Sequence, residues 1–469
     1  MDKKETSNNG IDRRGFLAGT AAAGATVILA GGASARGQAA KPKPRAPKHD
    51  DLNVGIIGVG AEGMVLLNAC LKSTSKIPGL RFKGVCDIWE YRREYARRWL
   101  KSRKHIVKTY EDYKEMLADD ALDLDCLIVA TPDWVHAEHA IAGLEKGLDV
   151  YCEKEMSNSL AKARSMVQAA KKTGKLLQIG HQRRSNPRYI KAIEGLVLNK
   201  DIRILGRVSQ AFAQWNRAVS ADIGWPKKGA KPWDPRLFAK YGYDSPQKFL
   251  NWRWYKKYGG GPIVDLGSHQ IDIFEWVFET TPKSVVASGG VDYYPHHEWY
   301  DNVMCLYEYD TPHGMARAFY QVQTTTSHGG YHEVFMGENG SLAISENPAV
   351  GNWVEREKHG GVPPWNPYVK AGLLQEIAAK ISSGPKPKDA VLDVRLSPAL
   401  PKWPLPTDLA KPFHQPHLEN FFEAVRLGKK EHLNCPAELG YKTAVATLAV
   451  NEAVESQQKK VFDEKEFHA

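Results

Sequence analysis

At 469 residues, with 42% hydrophobic and 25% charged residues, the chain has the length of two or three domains and the composition of ordinary globular protein. Its formal charge of +10 does not support a nucleic-acid surface, because residues 1–50 hold nine Lys/Arg against four Asp/Glu and the excess elsewhere is thin. No apolar run of about 18 residues occurs beyond the N-terminus, which excludes an internal membrane span.

The first segment reads as an address. Arg13 and Arg14 precede Gly15, Phe16 and Leu17, then an Ala/Gly-rich apolar stretch and Ala33-Ser34-Ala35 before a cut. This pattern resembles a twin-arginine export signal and implies a periplasmic or other extracytoplasmic destination. A retained membrane anchor is the alternative, but the stretch is short and glycine-rich for a span. No stable span is expected after signal removal. "KPKPRAPKHDD" follows as a solvated linker, so the signal and linker occupy residues 1–50.

A short apolar strand, Leu52–Ile57, then runs into Gly58-Val59-Gly60-Ala61-Glu62-Gly63 and a helical pattern carrying Met64, Val65, Leu67 and Leu71. Strand, GxGxxG and helix in this order form a dinucleotide fingerprint. Gly58 serves the tight turn, Gly60 the approach of a pyrophosphate, and Gly63 the packing of helix on strand. The next strand, "RFKGVCD", ends at Asp87, close to the expected spacing of roughly 20 residues beyond the glycines. A carboxylate there accepts ribose hydroxyls and repels a 2′-phosphate, which favours NAD over NADP; Arg92 and Arg93 nearby oppose that preference. A simple turn or cap is the alternative role for Asp87.

"LDCLIVATPDWVHAEHAIAGLEKGLDVYCEKEMS" reads as strand, turn, helix and strand. Ligands of open parallel sheets lie beyond the carboxyl ends of strands. Thr131, Pro132, His136 and Glu153 are therefore placed at the cofactor rim, with Lys154 beside them. His136 and His139 have no third ligand in view, so they are read as helix-surface histidines and no metal is expected. None of the six cysteines forms a CxxC pair, and they read as buried thiols.

GVGAEG, the "ATP" turn, "EK", "LQIGHQRRSNPRY" and the Asp265-x-x-x-His269 spacing occur in the order found in the Gfo/Idh/MocA family of NAD(P)-dependent oxidoreductases. The chain resembles that family well over residues 51–347 and more loosely in the C-terminal helices. Glu155 departs from it, since the family usually has proline after Glu-Lys. The resemblance implies an α/β Rossmann domain with a doubly wound parallel sheet at 51–180. It also implies an α+β substrate and oligomerisation domain at 181–469 with a mainly antiparallel open sheet. By position, Lys154 would touch the reacting hydroxyl and nicotinamide, and Asp265 and His269 would complete the catalytic cluster.

The chemistry of these residues agrees with that implication. Asp265, His269 and Asp272 are spaced i, i+4 and i+7, which predicts one face of a single helix. The Gly259–Gly261 run would let backbone approach the cofactor. Removing hydride from a carbinol requires a base for its proton, for which histidine is suited. A neighbouring Asp would orient the imidazole, and Lys154 would stabilise an alkoxide. The structural alternative is a helix start, with Asp265 as cap and His269 as a core residue.

Strand-like segments follow from "LGRVSQAFAQW" to "HEVFMGENGSLAIS", and the sheet's open face is expected over the nicotinamide end; the family resemblance implies that an open face also serves as a homo-oligomer surface. Residues 215–258, rich in Trp, and the proline-rich 348–416 read as insertions. Those tryptophans would either stack on a sugar or fill a local core. Arg183, Asp272 and Trp254 are the substrate candidates, and the substrate class implied is a carbohydrate. Three functions remain: an NAD-dependent sugar or polyol dehydrogenase, a redox-neutral NAD-dependent glycoside-cleaving enzyme, and a non-catalytic sugar-binding protein.

Overall fold

The computed structural model describes residues 51–376, 400–406 and 410–469; the signal and linker lie outside the described residues, as does much of the second insertion. Six parallel strands form the first sheet: β1 (Leu52–Ile57), β2 (Leu80–Cys86), β3 (Lys108–Tyr110), β4 (Cys126–Val129), β5 (Asp149–Cys152) and β6 (Leu177–Ile179). Their order, β3-β2-β1-β4-β5-β6, reverses direction between β1 and β4. Central strands such as β4 are buried along their whole length, as expected where helices cover both faces. The reversal opens a crevice at the carboxyl ends of β1 and β4, the place where such sheets bind ligands.

The second sheet has nine strands among the described residues: β7 (Val208–Asn216), β8 (Ser284–Gly290), β9 (Asn302–Thr311), β10 (Gly314–Gln323), β11 (Tyr331–Gly337), β12 (Gly340–Ile344), β13 (Trp353–Arg356), β14 (Lys402–Pro404) and β15 (Lys460–Val461). Their order is β14-β13-β12-β11-β7-β10-β9-β8-β15. Neighbours are antiparallel except β7 and β10, which pair in parallel. The proline-rich insertion thus supplies the edge strand β14 and its neighbour β13.

Two helices, Ser268–Phe278 and Ala437–Ser456, lie between this sheet and the first domain. The expected contact of an open sheet face with the nicotinamide end is therefore corrected: helices line that side. Val286, Met304 and Leu306 of β8 and β9 remain exposed.

The chain also returns to its beginning. Helix Gln415–Leu427 buries Leu418, Phe421 and Phe422 in the same apolar core as Val54, Ile56 and Leu66 of the first domain. Each such side chain contributes about 1.5–3 kcal/mol of transfer free energy. The first domain consequently includes a helix from far beyond residue 180. No helix among the described residues is long and apolar enough to cross a membrane. All six cysteines are buried and free.

Candidate active site

The glycine loop after β1 has the geometry its sequence demands. Gly58 sits at φ +86°, and a Cβ there would lie 2.4 Å from the Ala130 carbonyl oxygen. A Cβ on Gly63 would lie 2.1 Å from the Gly58 oxygen, so helix Ala61–Lys72 could not pack as closely. Gly60 has open space where a side chain would stand, which leaves its backbone accessible from the crevice. The free N–H groups of the helix start suit an anion there.

Asp87 ties this loop to the next. Its Oδ2 accepts the Val59 N–H at 2.9 Å and its Oδ1 the Trp89 N–H at 2.8 Å. Burial pushes the Asp87 carboxyl up, opposed by these two backbone bonds and by Arg93 and Arg92. Each carboxylate oxygen keeps a lone pair for a further donor. Arg92 lines the crevice as well, whereas Arg93 donates to the Asp87 carbonyl at 2.6 Å.

The crevice is a cavity of about 670 Å³, lined by Gly58, Gly60, Asp87, Thr131, Pro132, Glu153 and Lys154 among others. Volume, glycine loop and carboxylate together fit a dinucleotide. When bound, that group supplies a hydride acceptor at the rim of β4 and β5. Glu153 is buried there, accepting from the Tyr151 hydroxyl at 3.0 Å. Burial, then the nearby Glu62 carboxylate, pushes the Glu153 carboxyl up to about 7.

His136 does not line the crevice. It is fully buried, with ring nitrogens 2.8 Å from the Glu155 carbonyl oxygen and 2.6 Å from that of Thr131. Burial lowers it to about 4, opposed by the two carbonyls, and the ring braces the ends of β4 and β5. This corrects both its placement as a cofactor contact and its reading as a helix-surface residue. The Lys154–Glu155 peptide it braces is cis.

At the same rim, Lys154 Nζ donates to the Asp265 carbonyl and stands 3.2 Å from Asp265 Oδ1. Arg253 Nε donates to that same Oδ1 at 3.0 Å. Burial alone would raise Asp265; the Arg253 and Lys154 charges override it and hold the carboxyl well below the usual carboxylate range. His269 is buried beside the Trp215 ring, 5.5 Å between centroids, and its Nδ1 has no hydrogen-bond partner. Burial, then the charges of Lys154 and Arg183, push its pKa well below the ordinary value, so the imidazole is neutral.

Three expectations are corrected here. Asp265 ends a short helix, Gly261–Asp265, and His269 belongs to a separate one, Ser268–Phe278. The break at Leu266–Gly267 removes the single shared face. A Cβ on Gly267 would lie 2.3 Å from the Ile263 carbonyl oxygen, so close packing decides the residue there. Asp265 faces Lys154 and Arg253 rather than orienting the imidazole. The Gly259–Gly261 run packs against Trp252, Val264 and Trp299 and does not line the crevice.

The substrate candidates also fall elsewhere. Asp272 is fully buried and accepts from Arg184 Nε at 2.8 and 3.0 Å, with Thr443 Oγ1 at 3.1 Å. Arg183 is fully buried between Glu333 and Glu346, under the stacked rings of Trp215 and Tyr331. Trp254 stacks on His297 at 4.2 Å and does not line the crevice. Arg183 and Asp272 are internal supports, and Trp254 is half-buried in the aromatic packing around His297.

Sequence reasoning missed Arg253, Asp133, Trp134 and His414. The first three line the crevice, and His414 pairs with Glu62 of the glycine loop at 3.2 Å. Arg253 and His414 come from distant segments, and no local spacing announces them.

Comparison with known proteins agrees with this architecture. Residues 52–181 match the model of an oxidoreductase family with an NAD-binding Rossmann fold, and residues 236–343 match the GFO/IDH/MocA C-terminal domain. An inositol 2-dehydrogenase of Salmonella typhimurium is 30% identical over 50% of this chain and 56% of its own length. A glycosyl hydrolase family 109 protein of Shewanella amazonensis is 29% identical over 35% of this chain and 38% of its own. The matched region thus spans about half the length of such relatives, or less. A levoglucosan dehydrogenase, solved with NADH and levoglucosan, shares the fold with a TM-score of 0.64 at 18% identity, over 88% of this chain and 99% of that one. With its NAD-binding Rossmann domain and matching second domain, the chain belongs to the Gfo/Idh/MocA oxidoreductase family.

Proposed function

We propose that this protein is an NAD-dependent oxidoreductase acting on a sugar or sugar derivative, taking hydride from a ring or polyol carbinol. One observation carries the reading: Lys154, held by Asp265, lines a dinucleotide crevice, and a buried His269 lies close enough to feel the Lys154 charge. His269 takes the hydroxyl proton, and its neutral state at pH 7 is what a base requires. Lys154 stabilises the developing alkoxide. Asp265, kept ionised by two cations, fixes the Lys154 ammonium in place. Asp87 and Arg92 set the nucleotide preference, with Asp87 favouring NAD. A panel of sugars and polyols, assayed for reduction of NAD and NADP, tests this; no reduction with any carbinol would oppose it.

A second reading is redox-neutral glycoside cleavage, in which oxidation is transient and elimination follows. The similarity to a family 109 glycosyl hydrolase favours it. Incubation with a glycoside panel and no added NAD separates the two, since free sugar appears only with cleavage. The Arg13–Arg14 signal motivates the further proposal of an exported, extracytoplasmic enzyme. Arg13→Lys with Arg14→Lys should leave the protein in the cytoplasm, and unchanged export would refute it.

A further inference from the structure

Between β7 and helix Gly261–Asp265 the chain leaves the second sheet and crosses the cofactor crevice. On one bank, Trp225 lies 4.6 Å and Phe249 5.7 Å from the Trp89 ring, ring to ring. Lys231 Nζ reaches Glu90 at 2.5 Å, and the Tyr241 hydroxyl donates to Glu111 at 3.0 Å. On the other bank, Trp134 donates its indole N–H to the Tyr243 hydroxyl at 3.2 Å and packs edge-on against Tyr258. Trp89, Glu90 and Glu111 follow the β2 and β3 edges; Trp134 opens the helix after β4. The segment is thus fastened to both sides of the nucleotide fold, and Tyr241, Tyr243, Phe249 and Trp252 line the cavity that also contains Gly60 and Asp87.

We propose that residues 217–258 are a strap that completes the cofactor site, closing over the adenosine half so that the dinucleotide is held through turnover. This rests on the NAD reading above. Asp87 marks the adenosine ribose, and the strap's aromatic faces stand opposite it, where an adenine ring can stack. Release requires the strap to undock from Trp89 and Trp134 together. The aromatic residues therefore fill a local core, one of the two roles open to them, and its inner face meets adenine rather than a sugar. When bound, the held group would take up hydride and give it back within one cycle. His269 would keep the proton taken from the first hydroxyl and return it to the new one.

The test is nucleotide exchange in the purified full-length protein. Protein passed through gel filtration is denatured and the released nucleotide counted; separately, uptake of labelled NAD is timed. The strap predicts about one nucleotide per chain and slow exchange. Trp225→Ala with Phe249→Ala should speed exchange by about 10–100-fold. Lys231→Ala with Tyr241→Phe removes only polar fastenings and should speed it less, which keeps the test open if the aromatic variant fails to fold. Complete exchange within seconds in the unmodified protein, or equal exchange in all folded variants, overturns the proposal. Retained nucleotide without oxidation of any carbinol would sink the functional reading and leave the strap standing. Sugar oxidation with rapid exchange would do the reverse.

Discussion

Lys154 and Asp265, 111 residues apart, form an ion pair between the two domains, Nζ to Oδ1 at 3.2 Å, at the edge of the nucleotide crevice. The pair is mostly shielded from solvent and is shared with Arg253. An ammonium fixed in this way needs no reorganisation as charge develops on a substrate oxygen.

Lys154→Ala should therefore lower turnover by about 10²–10³-fold while nucleotide binding persists. Its side chain meets Asp265 rather than the glycine loop. Turnover with bound nucleotide measured on the same preparation checks this. Loss of nucleotide binding with normal turnover per loaded molecule would reverse the assignment.

Asp272→Ala should behave differently. The substitution leaves the Arg184 guanidinium buried without its carboxylate, and breaking such a pair costs about 3–5 kcal/mol. Denaturant unfolding should show that loss, with turnover per folded molecule nearly unchanged. A stable protein with selectively lost activity would return Asp272 to the substrate site.

The contrast shows what the sequence could and could not carry. Gly58, Gly60 and Gly63 were legible because strand, turn and helix are contiguous, and each glycine answers a local contact. Asp272 was misread because Arg184 lies 88 residues away. The single helix expected over Asp265 and His269 is broken at Leu266–Gly267, where a side chain on Gly267 would meet the Ile263 carbonyl and the Tyr320 ring; the Tyr320 contact is tertiary and leaves no local signature. His136 looked like a surface residue because nothing near it in sequence revealed the two carbonyls it meets. The tryptophans were visible as a cluster, but their partners Trp89 and Trp134 sit in another domain.

Asp87→Ala should weaken NAD binding and raise the relative affinity for NADP, with Arg92 left beside the ribose. Because Asp87 also receives the Val59 and Trp89 N–H groups, a modest fall in melting temperature should accompany the change. Titration with both nucleotides measures it. Unchanged selectivity would mean that Asp87 is a loop tie alone.

Glu155 offers a pH signature. Its carboxyl is buried, with Oε1 accepting the Met156 N–H, and burial pushes it up to about 8. In the unfolded chain it titrates near ~4.3. Between these values the folded state binds the extra proton, so this group removes stability as pH rises toward 8. Glu155→Gln abolishes that dependence. Its melting temperature should approach that of the unmodified protein at pH 4 and exceed it at pH 8, by a margin that grows across the interval. A constant difference over that range would show that Glu155 is ionised in the folded protein.

The central claim is that His269 is the base, and single-turnover reduction of bound NAD by an oxidisable sugar tests it most directly. His269→Ala should slow that step by about 10²–10⁴-fold, in protein that folds and binds nucleotide normally. In the unmodified enzyme the rate should hold down to pH values below 6.5 and fall only as the depressed His269 takes its proton. A His269→Ala protein that reduces its cofactor at a near-normal single-turnover rate would contradict the account.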